Sequence, residues 1–90
     1  MGHMLREKPK LLARVRRLKG QMEAIERALE AEAPCAEVLN LVASVRGAVN
    51  GLTAELIEDH LRAHVVEAAD AEAWRAGAEE LIAVVRTYLR

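Results

Sequence analysis

The chain has 90 residues, of which 52% are hydrophobic but only 2% are aromatic, and its net charge is −1. This length predicts a single domain over residues 1–90, and the scarcity of bulky side chains excludes a large private core and favours long helices that bury surface against another subunit. Because no run of 18 apolar residues, no secretory signal and only one cysteine occur, we expect no membrane span, no intrachain disulfide and a cytoplasmic location.

Positive charges are concentrated at the start of the chain. Residues 1–19 contain seven of the thirteen basic residues and one acidic residue, so this segment has a charge of +6 and the remainder a charge of −7. A basic segment on an acidic body can bind a polyanion locally. The alternative is a solvated helix face that binds nothing.

The first predicted helix runs from about Arg6 to about Glu30. Its apolar residues recur at alternating spacings of four and three, which is typical of a helical bundle or a coiled coil. They are Leu11, Val15, Leu18, Met22, Ile25 and Leu29. Basic side chains form an adjacent stripe that includes Arg6, Lys10, Arg14 and Arg17.

The second predicted helix starts near Pro34, which suits the first helical position, and reaches Val66. It repeats the same apolar spacing at Val38, Val42, Val45, Val49, Leu52 and Leu56. The third predicted helix runs from about Ala71 to Tyr88 and is capped by Asp70. Its apolar face, which would cover the second helix, consists of Trp74, Ala78, Leu81, Val85 and Tyr88.

Cys35, His60 and His64 form a ligand set for a transition metal, but they are widely separated. At a rise of about 1.5 Å per residue, Cys35 and His60 would lie roughly 38 Å apart on one helix. They can meet only if a second copy of the helix runs antiparallel to the first. The two-fold axis would then fall near residues 48 and 49, where small residues (Gly47, Ala48 and Gly51) allow close backbone approach. The alternative is that these glycines only loosen the helix.

His3 is a possible fourth metal ligand, unless the Gly-His-Met sequence at the start is a cloning remnant. One thiolate with two or three imidazoles suits Zn, Ni or Co, whereas Cu(I) would favour a second sulfur. The histidines also fit an ordinary surface or core role. No organic cofactor is expected, and an enzyme is disfavoured because no general base or phosphate loop is evident.

Several sequence blocks together resemble the copper-sensing-repressor superfamily of bacterial regulators. These blocks are Arg14–Gln21, Cys35, Val45–Leu52, Glu55 and His60, and the resemblance covers essentially the whole chain. It implies an all-α, three-helix protomer that forms an antiparallel helical-bundle dimer and then a disc-shaped tetramer, a dimer of dimers. It also implies that the apo-protein represses an operator and is released when an effector binds between Cys35 of one chain and histidines of another.

The resemblance leaves two effectors open. Copper sensors of the superfamily have a second cysteine where this chain has His64, so copper is disfavoured. The nickel/cobalt branch uses an N-terminal histidine, a cysteine and two histidines, which His3, Cys35, His60 and His64 match. The formaldehyde branch, which the first helix and the C-terminal tail resemble, cross-links an N-terminal proline amine to the cysteine. Here residue 2 is Gly2, a primary amine once Met1 is removed.

The predicted partner is double-stranded operator DNA, bound mainly through phosphates by basic residues of the first helix. The candidate residues are Lys10, Arg14, Arg16, Arg17, Lys19 and Arg46. Two other functions stay open from the sequence. One is a helical interaction module that does not bind DNA, and the other is a thiol enzyme that uses Cys35.

Overall fold

The computed structural model describes residues 7–88, which fold into three α-helices with a π-helical turn between the second and the third. Helix α1 spans Lys8–Glu30, α2 spans Cys35–Leu61, the π segment spans Arg62–Val66, and α3 spans Ala71–Tyr88. No strand occurs within residues 7–88. The predicted all-α, three-helix class is therefore confirmed. None of the helices in this part of the chain combines the length and apolarity that a bilayer crossing requires.

Backbone hydrogen bonds end α1 in a Schellman motif. The N–H of Ala33 donates to the carbonyl of Ala28 at 2.9 Å, and the N–H of Glu32 donates to the carbonyl of Leu29 at 3.1 Å. These bonds satisfy carbonyls that the helix end would otherwise leave unpaired. A Schellman motif requires one residue in the left-handed backbone conformation, and Glu32 has this conformation with a φ of 55°. A glycine would adopt this conformation more easily.

Pro34 and Asp70 cap the next two helices. The carbonyl of Pro34 accepts hydrogen bonds from Glu37 and Val38, so Pro34 stands just before α2 rather than at its first helical position. The carboxylate of Asp70 accepts a bond from the N–H of Ala73 at 2.8 Å. This contact confirms Asp70 as the cap of α3 and explains why that helix begins at Ala71.

Residues 9–54 form one compact unit, an antiparallel hairpin of α1 against the first part of α2. Gln21 donates from Nε2 to Ser44 Oγ at 3.3 Å. Further along, the guanidinium of Arg14 lies over Gly51, where a Cβ would be 2.9 Å from Nη1. Pairing of early α1 residues with late α2 residues fixes the antiparallel direction of the hairpin.

The apolar seam of this hairpin is only half covered. On α1, Leu11 is buried and Leu18 and Ile25 are half-buried, whereas Val15, Met22 and Leu29 are exposed. On α2, Val38, Val45 and Leu52 are half-buried, whereas Val42 and Val49 are exposed. In each helix the more covered residues are spaced seven apart, and so are the exposed ones. One chain therefore leaves half of its own seam uncovered.

Residues 55–88, with Glu7 and Lys8, belong to the second compact unit, in which α3 packs against the π segment. Gly77 is the buried residue of α3 at this contact. The predicted apolar face of α3 is only partly covered within the chain. Ala78 and Leu81 are half-buried, whereas Trp74 (52%) and Tyr88 (59%) are exposed. Gly77, rather than a large side chain, makes the contact because it lets two backbones approach. The single-domain assignment over residues 1–90 stays a prediction.

We expect Glu32→Gly to stabilise the folded chain by about 0.5–1 kcal/mol, because glycine removes the steric cost of the left-handed conformation. The free energy of unfolding, measured by urea titration with circular dichroism, checks this. Glu30→Gly is the matched control, since the same change inside the last turn of α1 should destabilise the chain by about 1 kcal/mol. A loss of stability in Glu32→Gly would contradict the role assigned to this residue.

Candidate effector site and DNA-binding surface

The π segment begins two residues after His60 and contains His64. Its wider turn is marked by the N–H of Glu67, which donates to the carbonyl of Arg62 five residues earlier at 3.0 Å. A Cβ on Gly77 would collide with the backbone carbonyl of His64, since the carbonyl carbon would lie 2.8 Å away. Single π turns are frequent at functional sites. Here the turn sets the position of one histidine relative to the other.

The two histidines lie side by side at the end of α2. Their ring centroids are 4.8 Å apart and their planes are inclined by 48°. His60 Nε2 is 2.9 Å from the carbonyl oxygen of Gly77 and 3.8 Å from a carboxylate oxygen of Glu80. A carbonyl only accepts hydrogen bonds, so Nε2 must carry the proton and donate. In a neutral ring this leaves the Nδ1 lone pair of His60 available to a metal.

Cys35 is the first residue of α2 and is exposed. It therefore lies at the opposite end of the helix from His60, which is in the last turn of α2. Within residues 7–88, no three His, Cys, Asp or Glu side chains of one chain are grouped to hold a metal ion. The structure thus brings His60 and His64 together but not Cys35, while His3 and Gly2 lie outside the described residues. The inter-subunit metal site stays a prediction.

Most of the candidate DNA-binding residues project into solvent. Lys10, Arg16, Arg17 and Lys19 on α1 and Arg46 on α2 are exposed. Arg14 differs because it is half-buried and its guanidinium lies on Gly51. Contact with the hairpin restricts the side chain of Arg14, which lowers the entropy that it would lose on binding a phosphate.

Sequence reasoning missed Gly77 and Glu80, which contact the histidines, and Asp59, the buried residue directly before His60. A glycine within the otherwise Ala- and Glu-rich third helix was the available signal for Gly77, because an unexplained interior glycine often marks close packing. Glu80 and Asp59 gave no signal that distinguishes them from other helical acids. The contacts of Glu80 and Asp59 can be identified only in the folded structure.

Comparison with known proteins places the chain in a family. A family model described as "Metal-sensitive transcriptional repressor" matches residues 7–87. The chain belongs to this family of metal-sensitive transcriptional repressors, whose members are not enzymes. Membership implies operator DNA as the partner and a metal ion as the effector.

Individual relatives span the whole chain. An uncharacterized protein encoded in the 5′ region of bioA in Serratia marcescens is 51% identical, with all of both chains covered. The transcriptional repressor RcnR of Citrobacter koseri is 38% identical, again over all of both chains. Among solved structures, a histidine-substituted variant of the formaldehyde-responsive regulator FrmR from Salmonella enterica serovar Typhimurium is 41% identical. It superposes with a TM-score of 0.86 over 96% of this chain and 98% of its own.

We expect Gly77→Ala to destabilise the chain by about 1–3 kcal/mol, because the added methyl forces α3 away from the His64 carbonyl. The same displacement should break the bond between His60 Nε2 and the Gly77 carbonyl. Urea titration gives the first quantity, and the nitrogen chemical shifts of the His60 ring report the second.

Gly20→Ala is the matched control for this substitution, since no atom lies within 4 Å of a Cβ at Gly20. It should stabilise α1 by up to about 1 kcal/mol through helix propensity. Equal stability of Gly77→Ala and the parent chain would contradict the close contact.

Proposed function

We propose that this protein is a cytoplasmic repressor that leaves its operator when Ni or Co, or alternatively Zn, binds a site shared by two chains. Cys35 of one chain supplies the sulfur, and His60, His64 and His3 of the partner supply nitrogens. The observation that carries the proposal is the oriented pair of His60 and His64 at one end of α2, with the exposed Cys35 at its other end. An antiparallel second copy brings these ends together.

The half-covered seam supports this antiparallel pairing. Val15, Met22 and Val42 are exposed in one chain although they lie in heptad register with covered residues. A symmetric dimer buries such residues against their counterparts and gains about 25 cal/mol for each Å² of apolar surface removed from water. Gly47 on α2 has no atom within 4 Å of a Cβ, so a second backbone has room to approach there. Two such dimers would form the proposed tetramer.

Donor chemistry supports Ni, Co or Zn as the metal. One thiolate with imidazoles is a borderline ligand set that these three ions accept. The hydrogen bond from His60 Nε2 to Gly77 supports the same function, because a ligating histidine usually donates its other ring N–H to a carbonyl or carboxylate. Release from DNA requires tighter metal binding in the free state than in the DNA-bound state, and about 1–3 kcal/mol of coupling is typical.

Formaldehyde is the second candidate effector, and the exposed thiol of Cys35 favours it. The similarity to the formaldehyde-responsive regulator FrmR supports this chemistry for the chain. After removal of Met1, the Gly2 amine of one chain and the Cys35 thiol of another would condense with one formaldehyde. The product is a methylene bridge between nitrogen and sulfur, and one water molecule is released.

We expect the double substitution Arg14→Ala, Arg17→Ala to weaken operator binding and to reduce its salt dependence. The slope of log K against log salt should fall by about 0.9 for each phosphate contact that is lost. Fluorescence anisotropy with labelled operator at several salt concentrations measures both quantities. Arg75→Ala is the control, because it removes an exposed arginine of α3 outside the basic segment. Wild-type affinity and slope in the double variant would contradict this surface.

Two single substitutions distinguish the effectors. Cys35→Ser should bind operator as the parent chain does and respond to neither Co(II) nor formaldehyde, because both chemistries need the thiolate. His64→Ala should lose release by Co(II), since it lacks one metal ligand, and keep any cross-link at Cys35. Gel shifts with each effector and mass spectrometry of the protein give the readouts. Release of Cys35→Ser by Co(II) would place the metal site elsewhere.

A further inference from the structure

Gly51 and Arg14 meet where α1 packs against the first part of α2, within the compact unit of residues 9–54. A Cβ added to Gly51 would lie 2.9 Å from Nη1 and 3.8 Å from Cζ of the Arg14 guanidinium. Non-bonded heavy atoms in contact prefer separations of about 3.5–4.0 Å, so an alanine here would overlap with the end of the arginine. The guanidinium therefore occupies space on α2 that exists because residue 51 has no side chain.

Gly51 differs in this respect from the other glycine of α2. No atom lies within 4 Å of a Cβ at Gly47, so that position faces open space, whereas Gly51 faces an arginine of its own chain. The sequence predicts that Gly47, Ala48 and Gly51 together allow a second copy of α2 to approach. The direction of the missing Cβ instead connects Gly51 with Arg14. Glycine also weakens a helix interior relative to alanine, so helix formation does not account for its presence.

Arg14 belongs to the basic stripe of α1. It follows Lys10 by four residues and precedes Arg17 by three, so the three side chains share one helix face. Arg14 is half-buried, whereas Lys10 and Arg17 are exposed. A long cationic side chain loses rotamer freedom when it binds a phosphate, and a side chain that is already restricted loses less. The contact with Gly51 thus prepares Arg14 for phosphate binding.

We propose that Gly51 is a positioning residue for DNA binding, because the space it leaves on α2 holds the Arg14 guanidinium where it contacts a DNA phosphate. The proposal rests on the DNA-binding surface proposed above and adds a residue of α2 to it. A methyl group at residue 51 displaces the guanidinium rather than the helices, since the atom it meets is the far end of a flexible side chain. The arginine then keeps its charge and loses its fixed orientation.

A double-mutant cycle on DNA binding tests this proposal. The variants are Gly51→Ala, Arg14→Ala and the two together, measured by fluorescence anisotropy with a labelled duplex of mixed sequence at low salt, since phosphate contacts do not depend on sequence. We expect Gly51→Ala to weaken binding roughly three- to tenfold, through partial loss of one charged hydrogen bond. In the Arg14→Ala background the same change should alter affinity by no more than about twofold, because both residues act through one interaction. No loss in Gly51→Ala, or an equal loss in both backgrounds, would overturn the proposal.

Gly20→Ala is the matched control, because it makes the same change on α1 where no atom lies within 4 Å of a Cβ. It should leave DNA affinity unchanged, and a loss equal to that of Gly51→Ala would overturn the proposal as a general effect of helix propensity. Both substitutions should raise the urea midpoint of unfolding, since alanine favours a helix over glycine. Weaker DNA binding in a more stable Gly51→Ala chain separates positioning from a merely structural role. A lower midpoint in Gly51→Ala would show that the helices move and would contradict the proposal.

Nuclear magnetic resonance of the arginine side chains tests the contact separately from DNA. The Nε–Hε signal of Arg14, assigned by its loss in Arg14→Ala, should shift in Gly51→Ala and stay in place in Gly20→Ala. An unchanged signal in Gly51→Ala would overturn the contact. If the parent chain binds no duplex, the DNA-binding function and the positioning role both fail. A shifted signal would then still support the contact between Arg14 and Gly51.

Sedimentation velocity distinguishes this role of Gly51 from a role between copies of the chain. We expect Gly51→Ala to sediment as the parent chain does, because its methyl group points at Arg14 of the same chain. A change in the assembly would show that Gly51 acts at an interface between copies and would overturn the proposal.

Discussion

Incomplete burial is the constraint on which the rest of this structure depends. In the described part of the chain, Leu11 is the one buried hydrophobic residue, and large side chains such as Met22 and Leu29 are more than half exposed. In the hairpin of α1 and α2, one apolar set of each helix is more covered than the other. The remaining set requires another surface. The proposed antiparallel pairing meets that requirement and the need to bring Cys35 to the histidines at the same time.

Close packing of α3 is the second constraint, because it orients the candidate site before any effector arrives. Gly77 lets the helix backbone reach His64, and its carbonyl then accepts the N–H of His60 Nε2. This hydrogen bond fixes the tautomer and the orientation of the His60 ring. The ring then loses less freedom when it binds a metal, which lowers the free-energy cost of binding. The π segment, which contains His64, is part of the same arrangement.

Much of the fold could be predicted because its causes are local. The spacing of Leu11, Leu18 and Ile25 identifies α1, and Asp70 marks the start of α3 three residues before the N–H that it caps. Pairing of His60 with His64 also follows from a spacing of four on one helix face. The π turn could not be predicted, because it depends on how closely α3 approaches and not on the residues Arg62–Val66 alone. The predicted apolar face of α3 did not include Gly77, which makes the close contact with the His64 backbone.

By itself, the sequence determined three helices, the cap of α3, the basic segment and the wide separation of Cys35 from His60 along α2. These features arise from interactions over a few residues, which periodicity and capping make visible. Only the tertiary structure decided which half of the seam is covered, which nitrogen of His60 is engaged, and that Asp59 lies at the start of α1. His60 and Gly77 are 17 residues apart, and Glu7 and Asp59 are 52 apart. Contacts at such separations depend on how helices pack, and no local pattern encodes that packing.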